Sequence, residues 1–194
     1  MILLNFGCGG NRPVVDPWIN IDNLNELFPG SHQPERQQLD SEFNYLNTDL
    51  RNGIPFVNGS VNGVLMSHLL EHLDCHECVK LLKDVYRVLV PGGVARISVP
   101  DPQKFYEMSV TEVKTGTPAD WGEPNNGTFG QTFMDYALFF YGHKQLLSLD
   151  SLNCMLFVSK FIHWVKAEVG TSLLNPLADI DNRATFSLFI EAVK

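Results

Sequence analysis

Short apolar runs alternate with amphipathic stretches along most of this chain, and that alternation constrains the fold more than any other feature. Runs of strand type occupy 2–6, 18–21, 43–46, 61–66, 94–99, 161–168 and 185–193. Runs of this length are typical of buried strands when helical patterns separate them. The alternation therefore predicts an α/β fold with a mostly parallel sheet covered by helices.

The clearest helix is predicted between Asp74 and Leu89. Asp74 and Glu77, three residues apart, have the spacing of a capping box. Apolar side chains then recur on one face, and charged side chains fill the other. Because proline cannot extend a helix, we expect Pro91-Gly92-Gly93 to end it. A second amphipathic helix is predicted over 148–159.

Composition narrows the class of protein. The 194 residues, 44% of them hydrophobic, suffice for one domain over 1–194. The chain has no apolar run of membrane-spanning length and no signal peptide, so we expect a cytoplasmic protein without a membrane partner. A formal net charge of -8 without a basic stripe disfavours nucleic acid as a partner.

The stretch 102–147 differs from its surroundings. It is rich in Gly, Pro and Asn, yet it holds nine of the chain's 21 aromatic residues. We therefore expect a folded insertion that covers a pocket at the strand ends. Because the first strand begins almost at the first residue, cover for a ligand would come from this insertion or from a partner subunit. A homodimer is accordingly one expected assembly.

Residues suited to a binding site follow each of the first four strands, where ligands of parallel sheets bind. Gly7-Cys8-Gly9 follows the first strand, and such a turn lets a ligand approach the backbone amides. Asp22 follows the second strand, where an acid can accept ribose hydroxyls. Asp49-Leu50 follows the third strand, and 67–73 follows the fourth. Each piece alone is also compatible with an ordinary turn.

Together, these pieces resemble the class I methyltransferases, especially the small bacterial-type group known as type 11. The counterparts are Leu4 to Gly9, Trp18 to Asp22, Asp49-Leu50, Ile54-Pro55-Phe56, Ser60-Val61, Ser67 to Leu73, Arg87 to Gly93 and Arg96 to Asp101. The resemblance implies a Rossmann-like fold: a mostly parallel twisted sheet, helices on both faces and an antiparallel strand near the C-terminus.

The resemblance also implies S-adenosyl-L-methionine as cofactor and S-adenosyl-L-homocysteine as product. The residues it places around the cofactor, from the methionine part through ribose and adenine to the methyl group, are Gly7, Cys8, Gly9, Asp22, Asn23, Leu24, Asp49, Leu50, Ser67 and His68. Asn5 belongs to the same set but departs from the family, which commonly has an acid there. We expect Asn5 to weaken the grip on the cofactor's ammonium group.

A nicotinamide cofactor is disfavoured by the same residues. Arg12 stands where the dinucleotide fingerprint needs its third glycine. Only 11 residues, two of them Pro13 and Pro17, separate Phe6 from Trp18, which leaves little room for a crossover helix.

A metal site is the other alternative in these residues. His68, His72, Cys75, His76 and Cys78 combine residue types that zinc uses. However, the predicted helix start at Asp74 divides this set, and Cys78 falls on the buried stripe. We therefore expect no metal ligand and interpret all four cysteines as thiols.

The predicted activity is in-line methyl transfer to a small or medium acceptor, such as a saccharide or a metabolite. If the acceptor is a hydroxyl, a base would help, and the candidates are His68, His72, Tyr106 and His143. The alternative is a non-catalytic protein that keeps the fold, with or without the cofactor, as an interaction module.

Overall fold

A mixed sheet forms the centre of the protein in this computed structural model, which describes residues 1–9, 16–23, 44–115, 142–180 and 184–194. The strands of the described part are β1 (Leu3–Phe6), β2 (Trp18–Asp22), β3 (Tyr45–Asn47), β4 (Val61–Ser67), β5 (Leu89–Pro100), β6 (His163–Ala167) and β7 (Ser187–Val193). Their order in the sheet is β3-β2-β1-β4-β5-β7-β6. Strands β1 to β5 pair in parallel, whereas β7 is antiparallel to both its neighbours. The predicted fold class is confirmed.

Three helices are described: α1 (Cys75–Val88), α2 (Pro102–Thr115) and α3 (Leu149–Val158). The capping box at the start of α1 is confirmed, since the Glu77 N–H donates to Asp74 Oδ1 and the Asp74 N–H donates to Glu77 Oε2, both at 2.8 Å. No helix of the described part is long and apolar enough to cross a membrane.

The predicted end of α1 is wrong. The helix ends at Val88, and Pro91-Gly92-Gly93 lies inside β5. The cause is pairing with the preceding strand, because the Ser60 N–H donates to Val88 O at 2.9 Å and Leu89 is in register with Val61. The backbone therefore becomes extended before it reaches the proline.

The two faces of the sheet bury different clusters. The larger cluster joins Leu4 and Phe6 of β1 to the buried side of α1 and to α3. The smaller one, on the opposite face, contains Leu3, Trp18, Leu65, Val94 and Leu177. Because side chains alternate along a strand, Asn5 shares the face of Leu3. Burial of both faces leaves the strand ends as the place for a site.

Residues 102–147 are described only in part. The sequence predicts an insertion here, and its first residues form the helix α2. Residues 116–141 lie outside the described ranges. The insertion over a pocket therefore stays a prediction, as does the single domain over 1–194.

Candidate active site

The turn after β1 is tied directly to the end of β2 by the carboxylate of Asp22. Oδ2 of Asp22 accepts the Gly9 N–H and Oδ1 accepts the Asn23 N–H, both at 2.8 Å. The Gly7 N–H donates to the backbone of Ile21 at 2.9 Å. Asp22 is 4% exposed, so these bonds form away from bulk water. The structure thus brings the predicted glycine turn, Asp22 and Asn23 together.

The backbone of this turn requires glycine. Gly7 has a φ of +62°, and a Cβ there would lie 3.1 Å from Cδ1 of Leu69. Leu69 follows β4, so the missing side chain lets the loops after β1 and β4 approach each other. Gly9 also has a positive φ, +49°, but no described atom lies near its Cβ position. Cys8, between them, is a buried thiol.

The loop after β3 is attached to the same carboxylate residue through its backbone. The Thr48 N–H donates to the backbone oxygen of Asp22 at 3.0 Å, and the Tyr45 hydroxyl donates to that oxygen at 3.2 Å. Asp49 and Leu50, which follow directly, therefore lie beside the end of β2. The three predicted strand ends form one rim of the sheet.

Arg51 already binds the Asp49 carboxylate. Its Nε donates to Oδ1 at 2.9 Å and its Nη2 donates to Oδ2 at 2.7 Å. The side-chain hydrogen bond from Arg51 lowers the pKa of Asp49, although burial opposes that effect. Any contact of Asp49 with an adenine would share this carboxylate with Arg51.

Asn5 pairs with the neighbouring strand. Its Nδ2 donates to Oδ1 of Asn20 at 3.0 Å, and both side chains are buried. An ionised acid at this position could not donate this hydrogen bond to Asn20. Asn5 thus lies two residues before Gly7, within strand β1.

The end of β4 places His68 between Ser187 and Glu71. His68 has a φ of +52°, and its backbone N–H donates to Ser98 O at 2.9 Å. Its Nε2 lies 2.7 Å from Oγ of Ser187, and its Nδ1 lies 3.1 Å from Oε1 of Glu71. Ser67, just before it, accepts a hydrogen bond from the Ser98 hydroxyl at 3.1 Å.

Glu71 and Ser187 are site residues that the sequence analysis missed. Ser187 is 119 residues from His68 in the chain, so no local pattern joins them. Glu71 had a usable signal, since it lies three residues after His68 and directly before His72. Acids next to histidines at a strand end merit inclusion in a candidate site.

His72 and His143 lie side by side. Their ring centroids are 4.9 Å apart with an interplanar angle of 79°. Burial lowers the pKa of His72, an effect opposed by Glu71 and reinforced by His143 and His68. Two candidate bases from distant parts of the sequence are therefore neighbours.

Tyr106 differs from the histidines in its exposure, and Leu24 cannot be placed. Tyr106 lies on α2 with 63% of its surface exposed, unlike the histidines. Leu24 lies outside the described residues.

The five residues of the alternative metal set do not converge. The Cys78 thiol donates to Leu70 O at 3.2 Å, and burial raises its pKa to about 12. Cys75 and His76 are exposed on the first turn of α1. The metal ligand set formed by the cysteines and histidines of 68–78 is therefore not assembled.

Two comparisons of the sequence with known proteins gave different results. Residues 4–97 match a family model described as a methyltransferase domain. No curated protein matches the chain.

Solved structures share the fold. A SAM-dependent methyltransferase from Archaeoglobus fulgidus is 17% identical with a TM-score of 0.59, over 99% of this chain and 85% of that one. A SAM-dependent methyltransferase from Thermotoga maritima, described as a possible histamine N-methyltransferase, is 14% identical with a TM-score of 0.59, over 100% and 82% of the two chains. The [4+2]-cyclase SpnF is 14% identical with a TM-score of 0.52, over 99% and 73%.

Proposed function

We propose that the chain is a class I SAM-dependent methyltransferase, because residues 4–97 match a methyltransferase-domain model and the fold is that of SAM-dependent methyltransferases. The acceptor is a small or medium-sized molecule, such as a saccharide or a metabolite. Methyl transfer to it is an in-line displacement. The single observation that carries this proposal is the rim at which Asp22 joins the loops after β1, β2 and β3.

In the proposed cofactor site, Asp22 accepts the ribose hydroxyls. A carboxylate has about four lone-pair sites, so it can hold backbone amides and hydroxyls together. The methionine part of the cofactor lies against the turn 7–9, because the missing side chains of Gly7 and Gly9 let a ligand approach its backbone. Asn23, Asp49 and Leu50 border the adenine, and Asn5 lies two residues before the turn. Leu24, which lies outside the described residues, is assigned to the same part of the site by the family resemblance alone. S-adenosyl-L-homocysteine leaves this site as the product.

In the chemical step, the protein mainly aligns the acceptor with the methyl group and excludes water. Positive charge disperses as the methyl group leaves sulfur, so no covalent intermediate is needed. If the acceptor is a hydroxyl, we favour His68 as the residue that takes its proton, because it follows the end of β4 directly. The acceptor hydroxyl would then replace the Ser187 hydroxyl, which lies 2.7 Å from Nε2 of His68. His72 and His143 lie within the same cluster. Tyr106 is the weakest candidate because it is largely exposed.

A non-catalytic cofactor-binding protein is the second candidate. One observation favours it: Asn5 pairs with Asn20 where the family commonly has an acid. A [4+2]-cyclase, an enzyme of another reaction type, also shares the fold. The fold alone therefore leaves the reaction open.

Calorimetry combined with a transfer assay separates these candidates. S-adenosyl-L-homocysteine is titrated into the protein, and label from methyl-tritiated S-adenosyl-L-methionine is followed into a panel of hydroxylated small molecules. The proposal expects binding together with a labelled product. Binding without transfer to any panel member or cell extract would favour the non-catalytic protein, and absence of binding would overturn the cofactor site.

We also propose a homodimer in the cytoplasm. Strand β6 is an edge of the described sheet, and Phe157 and Ile162, which precede it in the chain, are each 70% exposed. Apolar side chains beside a free strand edge favour association. Light scattering after size-exclusion chromatography should give twice the chain mass, and a monomer mass would contradict the proposal.

A further inference from the structure

Glu71 is a buried acid without the hydrogen bonds that such a group needs. It is 1% exposed, and neither carboxylate oxygen has a hydrogen-bond partner in the part of the chain that the structure describes. Nδ1 of His68 lies 3.1 Å from Oε1, but this contact does not have the geometry of a hydrogen bond. Buried polar groups in native proteins are nearly always satisfied, so this exception calls for a ligand.

Two imidazoles lie beside this carboxylate. A carboxylate oxygen of Glu71 and one ring nitrogen each of His72 and His143 are all within 4.8 Å of one another. The ligands of a tetrahedral zinc ion are roughly 3.3 Å apart, so the three atoms need to approach by at most about 1.5 Å. Side-chain rotation can supply a movement of that size.

The backbone holds the three residues in place. Glu71 and His72 belong to the 3-10 helix Leu70–His72 that follows β4. The Lys144 N–H donates to Glu71 O at 2.8 Å, and the Gln145 side chain donates to Leu73 O at 2.8 Å. These bonds fix the segment that carries His143 against the end of β4.

We propose that Glu71, His72 and His143 bind a divalent transition-metal ion of the zinc type. Two imidazoles and one carboxylate are a donor set that such ions favour over Mg²⁺ or Ca²⁺. This site differs from the alternative considered in the sequence, which needed the cysteines of α1. It also departs from our expectation of no metal ligand. The sequence shows neither the proximity of His143 to Glu71 nor the burial of Glu71.

Three protein ligands leave a coordination position for water or for an acceptor oxygen. The site lies at the end of β4, next to Ser67 and His68, so an acceptor hydroxyl bound there would be polarised by the ion. This role rests on the proposed function, whereas metal binding itself does not.

The test is metal binding by the full chain without cofactor. Chelator-treated protein is titrated with Zn²⁺ by calorimetry and with Co²⁺ by visible absorption. The wild type should bind one equivalent, and Glu71→Gln and His143→Ala should each weaken binding by more than about 100-fold, since even losing a residue that only supports a ligand costs 10–100-fold. The matched control is His76→Ala, which removes an exposed histidine on α1 and should bind as the wild type does.

Thermal melts guard against misfolded variants. Glu71→Gln removes a buried charge without changing shape, so the metal-free variant should melt no lower than the metal-free wild type. Zn²⁺ should raise the melting temperature of the wild type and of His76→Ala only. His143→Ala provides an independent variant if Glu71→Gln does not fold.

Three results would overturn the site: no stoichiometric Zn²⁺ or Co²⁺ in the wild type, binding that persists in both site variants, or stabilisation by Mg²⁺ but not by Zn²⁺. Titration of S-adenosyl-L-homocysteine into the same metal-free protein keeps the two proposals apart. Cofactor binding without metal binding would overturn only the metal site, and metal binding without cofactor binding would overturn only the cofactor site.

Discussion

Asp22 has two roles: its carboxylate accepts hydrogen bonds from Gly9 and Asn23, and it is proposed to accept hydrogen bonds from the ribose. Asp22→Ala removes both, so it should weaken S-adenosyl-L-homocysteine binding by about 1.5–3 kcal/mol. Asp22→Asn keeps one oxygen acceptor and should lose less. Calorimetry of both variants beside Asp150→Ala, which changes an exposed acid on α3, measures the difference. Equal dissociation constants in all three would remove Asp22 from the site.

Asp84 is a residue whose contribution to stability depends on pH. Burial alone raises the pKa of its carboxyl, but the hydrogen bonds from Arg87 and from the Ile54 N–H lower it by more. The pKa of Asp84 therefore lies below its usual value. A folded pKa below the unfolded value of about 3.9 stabilises the protein above that pH, and the gain is lost as pH falls through the folded pKa.

Asp84→Asn should therefore lower the free energy of unfolding at pH 7 by about 1–2 kcal/mol. The gap to the wild type should narrow below about pH 4, as the wild-type carboxyl is protonated. Urea denaturation at pH 7 and pH 3 measures both values. A gap of the same size at the two pH values would contradict this account.

At the residue scale, the sequence predicted the glycine turn and Asp22 but not Glu71 or Ser187. Gly7 and Asp22 follow recognisable strands, so local pattern places them. The backbone of His68 has a φ of +52°, and the residue type alone does not predict this conformation. Its contact with Ser187 spans 119 residues and arises only when β7 joins β5.

At the scale of elements, the turn after β1 depends on its glycine for two separate reasons. Gly7→Ala should destabilise the protein by about 1–2 kcal/mol because of its positive φ, and it should also weaken cofactor binding, because the new Cβ presses on Leu69. Gly92→Ala is the matched control: its φ is +78°, but no described atom lies near its Cβ position.

Denaturation and calorimetry on these two variants separate strain from site geometry. Both should lose stability, and only Gly7→Ala should lose affinity for S-adenosyl-L-homocysteine. A loss of affinity in Gly92→Ala equal to that in Gly7→Ala would show that the turn has no special place in the site.

The start of α1 was predictable and its end was not. A capping box is a local feature, with Asp74 and Glu77 bonding each other's backbone. The end at Val88 depends on Ser60, 28 residues earlier, whose N–H bonds Val88 O. Helix ends that are set by strand pairing are invisible to a local pattern.

At the scale of the whole molecule, a buried ion pair ties the last strand to the parallel sheet. Arg96 of β5 and Glu191 of β7 are 0% and 1% exposed and lie 2.9 Å apart. Arg96 also donates to Thr171 O and Glu168 O at 2.8 Å. The pair thus anchors the segment after β6 as well as β7.

Arg96→Met should destabilise the protein by about 3–5 kcal/mol, because it leaves Glu191 buried without its partner. The double variant Arg96→Met with Glu191→Met should recover part of that loss, since it leaves no buried charge. Denaturation of the single and double variants measures the two values. A double variant less stable than the single one would contradict the account.

The alternation of apolar and amphipathic runs sufficed to predict the parallel sheet. Such a sheet buries the apolar runs as strands and the apolar faces of the amphipathic runs as covering helices. The position of β7 between β5 and β6 was not predictable from alternation, since it depends on pairing between distant segments. Within residues 102–147 the sequence predicted a folded insertion but not the helix α2, because the aromatic side chains there indicate burial without a period that assigns an element.

The most direct test of the central claim is a crystal structure with S-adenosyl-L-homocysteine bound. The account predicts the ribose hydroxyls within hydrogen-bond distance of the Asp22 carboxylate, with the homocysteine part against the turn 7–9. Ligand bound elsewhere, or a ribose held by other residues while Asp22 contacts only Gly9 and Asn23, would contradict it.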